Sequence, residues 1–161
     1  MKSGYPFLIL LVILSLSSCY KNRIFEKNQK IPDRIWHKDS IVSFQFQVED
    51  IHRGYQIYFN IRNTNLYLFH NLYLKYSLED TLGNVIDSDL AEVFLFDSKT
   101  GEPLGDGMGD IFDHQFPVLE NFHFDNPGVY RCKVKQYMRV DLLPEIMAVG
   151  LRVDISPNGN D

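Results

Sequence analysis

The sequence predicts an all-β protein: an antiparallel β-sandwich, immunoglobulin-like or jelly-roll, with Greek-key connections. Three observations carry that expectation. Apolar and polar residues alternate with period two in several runs, most plainly across residues 42–48, and that period sends successive side chains to opposite faces of a strand. The apolar share leans on 12 Phe and 9 Tyr together with Ile, Val and Leu while Ala is scarce, a composition that suits a pleated surface better than a helix. Turn residues recur at near-regular spacing and no stretch keeps a helical period for more than a turn or two, which is the layout of about seven to nine short strands in two packed sheets.

The chain opens on a secretory leader. Lys2 supplies the positive start, residues 6–14 an apolar run, and Ser15 to Ser18 the polar approach to Cys19. The run is shorter than the roughly 20 apolar residues of a spanning helix. Leu16-Ser17-Ser18-Cys19 has the form of a lipobox, so residues 1–18 read as a lipoprotein signal peptide and Cys19 as the lipidated new N-terminus. Each buried CH₂ of an acyl chain contributes roughly 0.8 kcal/mol, so more than one chain makes a stable membrane tether. No cofactor is expected beyond this covalent lipid. With Cys19 consumed, Cys132 has no intrachain partner, and the fold cannot depend on a disulfide.

Residues 19–38 are polar, with isolated Ile24, Phe25, Ile31, Ile35 and Trp36, and read as a tether feeding into a first edge strand. The domain is expected over 39–157. Val42, Phe44, Phe46 and Val48 form the first core-facing row; Tyr55, Ile57, Phe59 and Ile61 form a second, expected to pair antiparallel with the first after the Arg53-Gly54 break. Leu72, Leu74, Tyr76 and Leu78 make a third strand, and Gly83-Asn84 signals a hairpin into Val85. Residues 93–96 lead into a turn at 97–101 and a short strand. Residues 111–124 read as an aromatic-rich strand pair interrupted by Pro117. Tyr130, Cys132 and Val134, then Val149, Leu151, Val153 and Ile155, are the inward rows of the last two strands. Residues 158–161 are expected as a disordered tail. Tyr130 lies two residues before Cys132 after an Asp125-Asn126-Pro127 turn, the spacing of a tyrosine corner.

The chemistry-bearing residues are dispersed. A formal net charge of −5, with both signs in every segment, offers no face for a phosphate backbone, so nucleic acid is not expected. The five histidines, His37, His52, His70, His114 and His123, show no metal-ligand spacing. Residues 106–110 resemble a fragment of a calcium loop but lack its alternating ligands and terminal Glu, and a polar turn explains them. Hydrolase signatures and phosphate-binding glycine loops do not occur. Tyr58, Tyr67, Tyr73 and Tyr137 are expected on the surface, where they would serve a sugar-stacking or protein-binding face.

Trp36, Ile61-Arg62-Asn63, Tyr67 with Asn71-Leu72-Tyr73, Gly101-x-x-Leu104-Gly105 with Gly107 and Gly109-Asp110-Ile111, and Gln136-Tyr137-Met138-Arg139 with Val149-Gly150-Leu151 form an ordered set. In that order and spacing the chain resembles the GldH gliding-motility lipoproteins of Bacteroidota. The resemblance implies a non-enzymatic accessory lipoprotein of the gliding machinery, associated with type IX secretion and with other gliding or secretion proteins of the envelope as partners. It implies an outer-membrane location. The basic residues behind Cys19, in place of the acidic motif of surface-exported relatives, favour the periplasmic face over the cell surface. The candidate interaction positions are Arg62, Asn63, Tyr67, Asn71, Tyr73, Met138 and Arg139, with turn capping an equal explanation for Asn63 and Asn71, and packing for Met138. A carbohydrate-binding module of the envelope is the alternative function.

Overall fold

A computed structural model describes residues 22–157; Cys19, its leader and residues 158–161 lie outside the described residues. The strands are β1 (Arg23–Lys30), β2 (Ile35–His37), β3 (Val42–Val48), β4 (Tyr55–Thr64), β5 (Asn71–Glu79), β6 (Val85–Phe94), β7 (Asp106–Met108), β8 (Ile111–Phe122), β9 (Gly128–Gln136), β10 (Leu142–Pro144) and β11 (Ile146–Ile155). One sheet runs β1-β11-β4-β8-β7, a second runs β3-β9-β5-β6, and β10-β2 form a small ribbon. Every pairing is antiparallel.

The period-two rows bury as their spacing requires. Val42, Phe44, Phe46 and Val48 face Ile57, Phe59, Ile61, Leu151 and Val153 within one continuous core. Phe124 sits at its aromatic centre, 4.3 Å from the Tyr130 ring and 5.3 Å from Tyr55. The Tyr130 hydroxyl donates to the Asn126 carbonyl at 2.6 Å, the tyrosine-corner bond that the sequence spacing foretells.

The topology selects between the two expected sandwiches. With the short β2, β7 and β10 set aside, the chain is one long hairpin whose apex is the turn between β5 and β6. Outward from that apex β4 pairs β8, β3 pairs β9 and β1 pairs β11, and successive pairs alternate between the sheets. That winding is a jelly roll. At the apex Asp80 Oδ1 accepts from the N–H groups of Leu82 and Asn84, and Gly83 takes φ +87°, a conformation that glycine adopts without strain.

Three expectations change. The stretch 23–38 is part of the sandwich rather than a tether: β1 pairs with β11 along its whole length, and Trp36 is fully buried opposite Leu143. Its sequence reads as a tether because β1 is an edge strand whose side chains, Arg23 and Phe25 apart, are exposed, and β2 contributes a single buried side chain. The runs 42–48 and 55–64 lie in different sheets and face each other across the core, because residues 49–54 bridge the sheets instead of closing a hairpin. Residues 111–122 form one strand, not two. Against β4 it carries two irregularities, near Val118 and at Asn121 with φ +49°, and each extra residue inverts the alternation that sequence reading depends on.

The sandwich has two distinct ends. At the near end the chain enters at Asn22, whose carbonyl oxygen accepts from Ile155 N–H at 2.7 Å, beside the loops 49–54, 80–84 and 123–127. At the far end lie the β10-β2 ribbon and the loops 65–70, 95–105 and 137–141.

Candidate functional site

A cavity of 430 Å³ opens at the far end on the outer face of the four-stranded sheet, lined by Phe69, Tyr73, Leu90, Tyr137, Met138, Arg139 and Val140. It unites Tyr73, Met138 and Arg139, three of the residues singled out in the sequence. Strand pairing supplies part of the frame: Tyr137 N–H donates to the Tyr73 carbonyl at 2.7 Å, continuing the β5-β9 ladder past the end of β9. Gln136 supplies the rest. Almost wholly buried, it donates Nε2 to the Val140 carbonyl at 3.0 Å and accepts at Oε1 from Met138 N–H at 2.7 Å, tying both limbs of the loop to the core. Met138 Sδ then accepts from Tyr73 N–H at 3.3 Å, closing the cavity floor. Phe69, Leu90 and Gln136 were not among the expected site residues. The only sequence signal for Gln136 is a polar residue on the inward row of β9.

Asn71 stands at the cavity's margin, its Nδ2 donating to Glu92 Oε1 at 2.6 Å. Hydrogen bonds from Asn71 and then the Tyr73 hydroxyl hold the Glu92 carboxyl below the usual carboxylate range, and the Tyr73 phenol, bonded to Glu92, is raised. The rim on this side is thus Asn71 bonded to Glu92, with the Tyr73 phenol beside that carboxylate. Leu66, Leu68, Tyr137 and Leu142, all exposed, extend the apolar surface across the far end.

The other expected positions lie elsewhere. Tyr67, expected on the surface, is buried: its ring is parallel to Phe96 at 6.5 Å, and its hydroxyl donates to the Asn71 carbonyl, fixing the turn into β5. Asn63 is wholly buried, with Nδ2 donating to the Thr64 carbonyl at 2.9 Å, so it shapes a turn rather than meeting a partner. Both fall on the core side because the alternation of β4 continues inward to Asn63 and the 65–70 loop folds Tyr67 under itself. Arg62 is exposed on the opposite, five-stranded face, where Nε and Nη2 make a two-point contact with Asp113 at 2.6 and 2.8 Å. It borders a polar groove of 340 Å³ with Glu26, Asn28, Asn60, Asp113 and Gln115, floored in part by Ala148. Asn60 donates to Glu26 and Asn28 and accepts from Gln115, so the groove's amides already satisfy one another.

His114 also lines this groove. Burial lowers its imidazole; its ring is parallel to Phe116 at 5.7 Å, and a side chain at Gly105 would strike it. Burial pushes the Cys132 thiol up to about 12, which keeps it protonated and unreactive. Among the described residues no group of three His, Cys, Asp or Glu is arranged to hold a metal ion. The far-end cavity pairs an apolar floor with a polar rim that carries one cation, Arg139, and one carboxylate, Glu92, which is chemistry for recognition.

Residues 23–153 match the family described as GldH lipoprotein. A gliding motility lipoprotein GldH homolog of Christiangramia forsetii is 36% identical, covering 98% of this chain and 100% of its own length. The gliding motility lipoprotein GldH of Flavobacterium johnsoniae is 31% identical over 91% of this chain and 94% of its own. Among solved structures, the infectious bursal disease virus VP2 subviral particle aligns with 85% of this chain at a TM-score of 0.43 and 11% identity; the chain spans 33% of that viral one.

Proposed function

The chain belongs to the GldH lipoprotein family, and from that premise we propose that it is a non-enzymatic, membrane-tethered protein-interaction module of the gliding machinery associated with type IX secretion. Lipid on Cys19 holds it to the outer membrane, facing the periplasm. The observation that carries this reading is the separation of its two ends. From Cys19 to Arg23 is four residues, a reach of at most about 14 Å at ~3.3–3.6 Å each. The near end is therefore held close to the bilayer, and strands such as β9 carry the apolar far end on the order of 30 Å beyond it. An anchored domain whose exposed apolar surface is displaced from its anchor is suited to meeting a neighbouring protein.

Crosslinking of the tagged lipoprotein in native envelopes, with Cys19→Ala as the unanchored control, tests this. Recovery of gliding or secretion proteins, lost without the anchor, is the expected result; recovery of no protein neighbour from the anchored form would sink it.

The polar groove around Asn60 favours a second reading, a carbohydrate-binding module, since amides and carboxylates in a concave strip suit sugar hydroxyls. It ranks lower because the tyrosines do not form a platform: Tyr58 lies by Arg152 on one sheet, Tyr73 and Tyr137 lie on the other, and Tyr67 is buried. Glycan retention lost on Asn60→Ala but kept on Tyr73→Ala would favour it.

A further inference from the structure

We infer that the outer face of the four-stranded sheet is a docking surface for an acidic polypeptide segment, with one aromatic or aliphatic side chain seated in the Tyr73–Met138 cavity and carboxylates spread along Lys75, Lys133 and Lys135. The inference rests on the interaction-module reading and names the partner's chemistry.

Charge is the first support. Leu74, Tyr76 and Leu78 of β5 and Cys132 and Val134 of β9 are buried, so Lys75, Arg131, Lys133 and Lys135 point outward between them. Arg131 and Lys133 share a single carboxylate, Glu79, at 3.7 and 2.5 Å. Lys75 and Lys135 stand directly opposite each other on β5 and β9. Like charges in that position oppose sheet formation. In a chain of formal net charge −5, a face that gathers cations at a cost to its own folding is best explained by a ligand that neutralises them.

Continuity is the second support. The Lys75 ammonium lies 5.8 Å from the centre of the Tyr137 ring, and Tyr137 is a wall of the 430 Å³ cavity, so the cationic strip runs into the apolar recess. An anionic bilayer would favour apolar side chains that project into it. A recess beside a row of cations instead takes a projecting side chain from a partner that brings its own carboxylates, as an extended acidic peptide does.

The test uses the full lipoprotein in nanodiscs of zwitterionic lipid. The probes are a fluorescent peptide of alternating Glu and Ser with one central Phe, its Lys-for-Glu counterpart, its Gly-for-Phe counterpart, and vesicles containing phosphatidylglycerol. The acidic Phe peptide should bind, weaken as salt rises, and bind at least tenfold more tightly than the other two peptides. The double variant K75E/K135E should lose at least tenfold while Trp36 emission stays that of the folded chain. Equal binding of the basic peptide, indifference to K75E/K135E, or binding to the anionic vesicles alone would overturn the inference. So would self-association that the double variant abolishes, which would make the occupant a second copy of this chain. Native-envelope crosslinks separate the two levels. Protein neighbours retained by K75E/K135E would remove this face and leave the interaction module standing, whereas no neighbours for the wild type would remove both.

Discussion

Gln136 reaches across the base of the 137–140 loop to Val140, its Nε2 donating to the Val140 carbonyl oxygen at 3.0 Å. The same buried amide accepts from Met138 N–H, so one side chain fixes the loop that presents Met138 and Arg139. Gln136→Leu keeps the bulk and removes both bonds. With a half-buried carbonyl and amide losing their partner, the loss should be about 1 kcal/mol. Denaturant midpoints measure it, and amide exchange at residues 137–140 should accelerate. Unchanged exchange there would mean that the strand ends alone define the loop.

Trp36 is fully buried, and its Nε1 donates to the Ser40 carbonyl at 3.0 Å. Trp36→Ala should cost about 3–5 kcal/mol, a large share of the ~5–15 kcal/mol typical of a domain. A chain starting at residue 39 would also lose β1, uncovering the edge of β11. It should show no cooperative thermal transition; a sharp one would return the stretch 23–38 to the role of a tether.

The opposition of Lys75 and Lys135 makes stability and docking pull apart. Lys135→Glu converts a like-charge pair into an attractive one and should raise stability by about 0.2–1 kcal/mol at low salt. The gain should shrink as salt screens the pair. Urea midpoints at two ionic strengths decide the matter, and a destabilised variant would show that the lysine stems, not their charges, matter there.

His114 gives the fold an acid sensitivity. Burial lowers its imidazole, against the upward pull of Asp113 and then Asp106. A base depressed in the folded state binds fewer protons there than in the unfolded chain. It therefore supports folding above its unfolded value of 6.5 and withdraws that support as pH falls through the folded value. Stability should begin to decline as pH falls below about 6.5, before the Glu92, Asp80 and Asp141 carboxyls, which are held low, begin to titrate. His114→Phe should flatten that decline, and an unaltered slope would assign it elsewhere.

Much of the fold was legible from the residues. The alternating rows of β3, β4, β5, β9 and β11 are buried where period two puts them, and Gly83-Asn84 marks the apex of the roll. The failures share a cause. Phe25 and Trp36 carry little periodic signal, the one in an edge strand and the other in a three-residue strand, and the irregularities in β8 shift its alternation out of phase. The candidate site was legible only in part. Tyr73, Met138 and Arg139 meet in one cavity, while Asn63 and Tyr67 stood out equally in the sequence and proved to be buried turn-formers.

The amino-acid sequence by itself determined the β class, most of the core rows and the family, because each is written in local order: a period of two, a spaced set of motifs. Which strands are neighbours was decided only in the tertiary structure. Lys75 and Lys135 are 60 positions apart in the chain (135 − 75), and nothing local records that they face each other. Pairing across such distances is set by how two sheets bury their inner rows together, and the outer face, with its cations and its cavity, is whatever that burial leaves exposed.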